Sequence, residues 1–180
     1  MALKLSYQLM NADDVRRTLD TVADQIIAAN TGKQIVLLGI QRRGVPMAQR
    51  MAKYIEAKTG KSPEIGILDI NLYRDDLTKV ATQPVVRQTD IPPDIDDKDV
   101  ILVDDVLYTG RTTAAALRAL IDFGRMHTIQ LAVFVDRGHR ELPIEANFIG
   151  KKLKTRSDEV VEVRLKEIDG EDAICVMENT

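Results

Sequence analysis

The chain has 180 residues, 44% hydrophobic and 29% charged, enough for a core without metal or disulfide staples and unlike disordered, collagen-like or coiled-coil chains. The formal net charge is −3, which excludes a wholesale polycationic nucleic-acid binder and requires any phosphate binding to be local. With no Trp and 4% aromatic residues the sequence disfavours a base-stacking surface, and the single cysteine, Cys175, forbids an intramolecular disulfide.

Residues 11–29 predict an amphipathic helix. Val15, Leu19, Val22, Ala23, Ile26 and Ile27 share one face. Asn11 is the expected N-cap, and Asp13 and Asp14 fall in the first turn, where the helix dipole favours acids. Residues 34–40 (QIVLLGI) read as a buried strand, 44–59 as a helix stopped by Gly60, and 65–72 as another strand. Residues 73–93 are polar and end in Pro92-Pro93; a connection of this length inside a compact domain is usually functional. Residues 99–103 (DVILV) form the most apolar strand, 112–123 a helix ended by Gly124, and 129–135 a further strand. Residues 145–149, 159–165 and 173–177 read as short strands, the last two as a hairpin across Asp169-Gly170. The alternation predicts an α/β architecture: a mostly parallel twisted sheet flanked by helices on both faces, with a small β-rich flap. No apolar run reaches the ~20 residues of a membrane span, and residues 1–11 lack the shape of a signal peptide. No membrane partner and a cytoplasmic location are expected.

In open sheets of this kind ligands sit beyond the carboxyl ends of the strands. That draws attention to residues 41–44, 73–76, 104–113 and 136–138. In residues 100–113, VILVDDVLYTGRTT, an apolar strand runs into two acids and then a loop that opens a helix. Gly110 permits a tight loop or close approach of backbone to a ligand. Exposed N–H groups at the helix start, with the hydroxyls of Thr109, Thr112 and Thr113, suit a phosphate. Asp104 and Asp105 suit sugar hydroxyls or a developing cation. The same residues also read as an ordinary strand-to-helix turn with acidic caps. There is no GxxxxGK[ST] and no GxGxxG.

Residues 100–112 resemble the phosphoribosyl pyrophosphate (PRPP) signature of type I phosphoribosyltransferases: four apolar positions, two acids, two apolar positions, then small and hydroxyl residues around glycine. Together GIQRRGVP, DINLYRDDLTK, VDDVLYTGRTT and LAVFVDRGHRELPI resemble one group within them. These are the bacterial pyrimidine-operon attenuation regulators that are also uracil phosphoribosyltransferases. The resemblance runs from about Val15 to the C-terminus. It implies the type I phosphoribosyltransferase fold as a single domain over residues 1–180, with a small β-rich hood, a flexible catalytic loop at about 72–93 and terminal short strands at about 145–178.

The resemblance also implies a reaction: uracil plus PRPP gives UMP plus pyrophosphate, with Mg²⁺ bridged by PRPP rather than held directly by the protein. Asp104, Asp105 and Arg74 would be catalytic. Val106, Leu107, Tyr108, Thr109, Gly110, Arg111, Thr112 and Thr113 would bind PRPP, with Thr109 to Thr113 on the 5′-phosphate. Arg42, Arg43 and a flexible Gly44 would contact pyrophosphate, with a cis peptide at Arg43–Gly44. Two cations at a helix start are mildly unfavourable without an anion, which supports an anionic partner there. Val135, Asp136 and Arg137 would bind the base. UMP or UTP would control binding to pyrimidine-operon mRNA. The expected RNA face is Arg16, Arg17, His139, Arg140, Lys151, Lys152 and Lys154, although His139 also reads as solvated and residues 151–156 as an ordinary loop. Homodimers or larger homo-oligomers are expected. One departure stands out. Asp20 and Asp24 lie where such regulators carry a basic face, which leaves open an alternative: chiefly a uracil phosphoribosyltransferase with reduced or absent RNA binding.

Overall fold

The computed structural model describes residues 3–71 and 89–179. In chain order the elements are β1 (Leu3–Met10), α1 (Ala12–Ala29), β2 (Ile35–Ile40), α2 (Gly44–Thr59), β3 (Glu64–Leu68), β4 (Asp99–Leu107), α3 (Arg111–Ile121), β5 (Thr128–Asp136), β6 (Phe148–Lys152), β7 (Glu159–Arg164), α4 (Lys166–Asp169) and β8 (Ala173–Asn179). Five strands form a parallel sheet in the order β3-β2-β4-β5-β6, and β1, β8 and β7 form a separate antiparallel sheet, the hood.

The helices lie on both faces of the large sheet because the strand side chains alternate. Ile101 and Val103 of β4 pack with Val15, Leu19, Val22 and Ile26 of α1 and Met47 and Met51 of α2. Val100 and Leu102 pack on the other face with Ala115, Ala116, Ala119 and Leu120 of α3. The α1 start matches its sequence signal. Asn11 accepts from the Asp14 backbone N–H while the Asp14 carboxylate accepts from the Asn11 backbone N–H, a reciprocal capping box. Gly60 closes α2 in the left-handed conformation at φ 72°.

Several expected boundaries move. Strand β1 is not apparent in the sequence; it pairs antiparallel with β8 across nearly the whole chain. Strand β3 stops at Leu68, where Asp69 turns the chain by accepting from the Asn71 backbone N–H at 3.0 Å. Strand β4 continues past Val103 to Leu107, so Asp104 and Asp105 stand on the strand rather than after it. The strand expected at 145–149 is β6, three residues later, and it joins the edge of the parallel sheet instead of the flap. Helix α3 ends at Ile121. The hairpin between β7 and β8 forms, with the one-turn helix α4 inserted before Gly170, whose φ is 81°. No described helix is long and apolar enough to cross a membrane.

Candidate active site

The strand order reverses between β2 and β4: the chain leaves β2 toward β3 on one side, then returns to β4 on the other. The loops beyond the two strands diverge there and leave a crevice. It holds a cavity of about 190 Å³ lined by Gln41, Arg42, Arg43, Ile70, Asn71, Asp104, Asp105, Val106 and Thr112. The fold thus joins the Arg42-Arg43 loop, the two acids and the start of α3. Gln41, Ile70 and Asn71 complete the lining, each at the carboxyl end of a strand.

The two carboxylates are oriented by the backbone. Asp104 Oδ1 accepts the Asp105 N–H at 2.9 Å, and Asp105 Oδ1 accepts the Val106 N–H at 2.8 Å. Asp104 is buried and Asp105 half-buried. After β4, Tyr108 is exposed, and the Thr109 carbonyl accepts from the backbone N–H groups of Glu141 and Leu142. Gly110, at φ 90°, is the N-cap of α3 and makes no side-chain cap hydrogen bond. The Thr109 hydroxyl accepts the Arg111 N–H at 3.4 Å, and the glycine cap itself places no side chain over the next N–H groups, which suits an anion. Arg111 pairs with Glu141 at 2.7 Å, and Thr113 is buried.

The Arg42-Arg43 loop differs from expectation in two respects. The cis peptide bond lies at Gln41–Arg42, not Arg43–Gly44. Gly44 serves close packing rather than flexibility: a Cβ there would stand 2.2 Å from the Val103 carbonyl oxygen, so only glycine lets the start of α2 press against β4. Arg42 is exposed at the cavity. Arg43 is ion-paired to Asp169 of the hood at 2.9 Å. From sequence, Asp169 reads only as a turn residue. Its pairing partner lies 126 residues away, and no local pattern marks it.

At the end of β5, Val135 is fully buried and Arg137 is 5% exposed. The Arg137 guanidinium lies 4.1 Å from the centroid of the Tyr108 ring and donates to Thr155 Oγ1 at 3.1 Å and the Arg156 carbonyl at 3.2 Å. Burial pushes its pKa down, against the nearby charges of Tyr108 and Glu159. Asp136 accepts from the Gly138 N–H and from Arg140, so its carboxylate holds the turn.

The expected RNA residues are divided. Arg17 and Lys151 meet at a cavity of about 310 Å³, with Asp14, Thr18 and Thr21. Arg16 instead lines the cleft between α1 and α2 with Asp20, Arg50 and Lys53. Lys152 and Lys154 are exposed. Arg140 is an internal staple that donates to the Ile144 and Tyr108 carbonyls and to Asp136. His139 Nε2 lies 2.7 Å from the Thr155 carbonyl, in an Nε2–H tautomer if it donates there. Asp24 accepts from the Tyr54 hydroxyl at 3.1 Å and lies 3.8 Å from Lys58. Of the two acids that departed from the expected basic face, Asp24 is thus engaged by α2, and Asp20 lines the α1–α2 cleft. Arg74 and most of the expected catalytic loop lie outside the described residues.

Sheet order and hood define the phosphoribosyltransferase class, and the phosphoribosyl transferase domain family matches residues 8–167. The chain superimposes on a hypoxanthine-guanine phosphoribosyltransferase of Bacillus anthracis with a TM-score of 0.73 at 16% identity, covering 99% of this chain and 100% of that one. It is 54% identical to the Bifunctional protein PyrR of Pelotomaculum thermopropionicum over 172 residues, 95% of each chain. It is 52% identical to that of Thermus aquaticus over 177 residues, 98% of each. The chain belongs to the PyrR family.

Proposed function

We propose that this chain transfers the phosphoribosyl group of PRPP to uracil, forming UMP and pyrophosphate, and that with a uridine nucleotide bound it binds pyrimidine-operon mRNA and promotes transcription termination. The observation that carries the reading is the cavity between β2 and β4, where two arginines and two carboxylates face one crevice, in a chain 54% identical to a bifunctional relative. The substrate chemistry accounts for that combination. Loss of pyrophosphate leaves positive charge on the ribose and adds negative charge to the leaving group, so one site must serve both signs.

In this reading residues 109–113 hold the 5′-phosphate through the N–H groups at the start of α3 and the threonine hydroxyls. Asp104 and Asp105 hold the ribose hydroxyls and steady the cation. Arg42 and Arg43, with Arg74, bind pyrophosphate. The end of β5, at Val135 and Arg137, supports the base. The carboxylates of Asp104 and Asp105 are hard oxygen acceptors that would meet a PRPP-held Mg²⁺ through its waters. Mg²⁺ held by PRPP would supply charge neutralisation to the leaving group. The single-domain organisation, a cytoplasmic setting and a homo-oligomeric state belong to the same proposal; sedimentation equilibrium measures the last.

The alternative, a transferase with RNA binding reduced or lost, is not favoured: relatives at 52% and 54% identity are named bifunctional, and Asp24 is engaged by α2. Two assays test the two halves. Arg43→Ala is expected to lower turnover with uracil and PRPP by hundreds-fold, since a lost donor to developing charge costs ~3–4 kcal/mol; intact turnover sinks the leaving-group assignment. A gel shift on pyrimidine leader RNA is expected to appear with UMP and to weaken with salt. No shift at low salt with UMP present removes the regulator.

A further inference from the structure

Arg43 reaches the cavity from the N-cap of α2, where the helix dipole disfavours a cation. The compensating charge comes from the hood. Arg43 Nη2 donates to Asp169 Oδ1 at 2.9 Å and Nε to Asp169 Oδ2 at 3.4 Å. This side-on pair occupies one edge of the guanidinium fork, and the opposite edge keeps donors for an anion.

Asp169 is itself fixed. Its Oδ2 accepts the Leu165 N–H at 2.8 Å, and its own N–H donates to the Leu165 carbonyl at 2.7 Å. Burial raises the Asp169 pKa, but the Leu165 N–H and Arg43 outweigh it and hold the carboxyl below its ordinary range. The turn that carries Asp169 is clamped to the same helix two turns beyond Arg43. Arg50 donates to Glu167 at 2.8 and 2.6 Å and to Asp172 at 2.9 and 2.8 Å. Asp172 in turn accepts the Lys166 N–H at 2.8 Å. Arg43 and Arg50 are seven residues apart, hence on one face of the helix.

We infer that Asp169 is a positioning residue for the transferase: through its two-point contact it holds the Arg43 guanidinium in place to receive the pyrophosphate leaving group. The inference rests on the leaving-group reading of Arg43 given above. An arginine left unpaired samples many rotamers and must be ordered as charge develops, whereas one held by Asp169 is already ordered. Because the contact strengthens as negative charge accumulates on the leaving group, the effect falls on kcat more than on KM.

The test is steady-state kinetics of the full chain with uracil, PRPP and Mg²⁺, alongside thermal melting. Asp169→Asn keeps an oxygen for the Leu165 N–H but removes the charge that holds Arg43. It is expected to lower kcat about tenfold with KM for uracil unchanged, and Asp169→Glu to restore part of the loss. In an Arg43→Lys background, where no two-point contact forms, Asp169→Asn is expected to add less than about twofold. An equal loss in both backgrounds overturns the inference and leaves Asp169 as a hood support. Unchanged kcat in Asp169→Asn, with the loss in Arg43→Ala intact, overturns it while sparing the leaving-group reading. Unchanged turnover in Arg43→Ala overturns both.

Discussion

Two glycines flank cavity-lining residues in the chain, Gly44 after Arg43 and Gly110 before Thr112, for different physical reasons. Gly110 has a positive φ that L-residues avoid, and a Cβ there would stand 3.1 Å from Ile144 Cγ1. Gly44 is restricted by its neighbour alone, the Val103 carbonyl oxygen 2.2 Å from where a Cβ would sit. Gly44→Ala is expected to destabilise the chain by roughly 3 kcal/mol, the cost of forcing tightly packed backbone apart. Urea unfolding measures it, and a midpoint equal to wild type would mean the loop yields without strain. The glycines of both motifs are legible in the sequence because each sits beside charged or hydroxyl residues. The reason for Gly44 is not, since Val103 is brought to it only by the pairing of β2 with β4. The same holds for Arg43: its charge is plain in the sequence, while its partner Asp169 becomes visible only when the hood is folded.

At the scale of elements, the hood shares a buried apolar cluster with the helices, Val163, Leu165 and Ile174 lying with Met47 and Met51, and ion pairs fix its turn to α2. Arg50 is the main cause holding Glu167 below the ordinary carboxylate range. Burial pushes Asp169 and Asp172 upward, but hydrogen bonds from Leu165 and Arg43, and from Arg50 and Lys166, outweigh it. Groups whose folded pKa lies below the unfolded value contribute stability that is complete above the ordinary carboxylate range and is lost as pH falls through the depressed values. Acidification is therefore expected to loosen residues 165–172 before the parallel sheet. Hydrogen exchange read by mass spectrometry checks this, and simultaneous loss of protection in β4 would contradict it. A second expectation concerns α1: Asn11→Ala removes half of the capping box and should cost about 1 kcal/mol, visible as a lowered melting temperature.

The helices were the most legible elements because each carries its own period and its own stop. Asn11 and Gly60 mark the ends of α1 and α2 by local chemistry. Strand β1 was invisible for the opposite reason. Most of its residues are exposed, and its pairing with β8 is the longest-range contact a chain of this order makes. An edge strand without a buried face gives a weak alternation, and tertiary pairing decides it. Strand β6 was misplaced because Lys151 and Lys152 look like loop residues, whereas an edge position lets them extend a strand into solvent.

For the whole molecule, a net charge of −3 coexists with separate cationic spots. Arg42 and Arg43 stand at the crevice, and Arg17 and Lys151 meet on another face. Acids beside them, Asp169 and Asp14, partly neutralise both places. RNA affinity is thus expected to be modest and strongly dependent on ionic strength. Arg17→Ala and Lys151→Ala should each weaken binding without changing its sequence preference and reduce the slope of log K against log salt by about 1. An unchanged slope in both variants would place the RNA elsewhere.

The pairing of β1 with β8 has a consequence for synthesis. The strand made first is completed only by the strand made last, while the strand pairings of the parallel sheet from β2 to β6 involve neither. A nascent chain can therefore build the crevice early, but Arg43 lacks its hood partner until residue 169 has emerged. Translation through the final strands is then the step that both closes the core with Leu165 and Ile174 and brings Asp169 to Arg43, so premature termination within β7 should cost stability and turnover together.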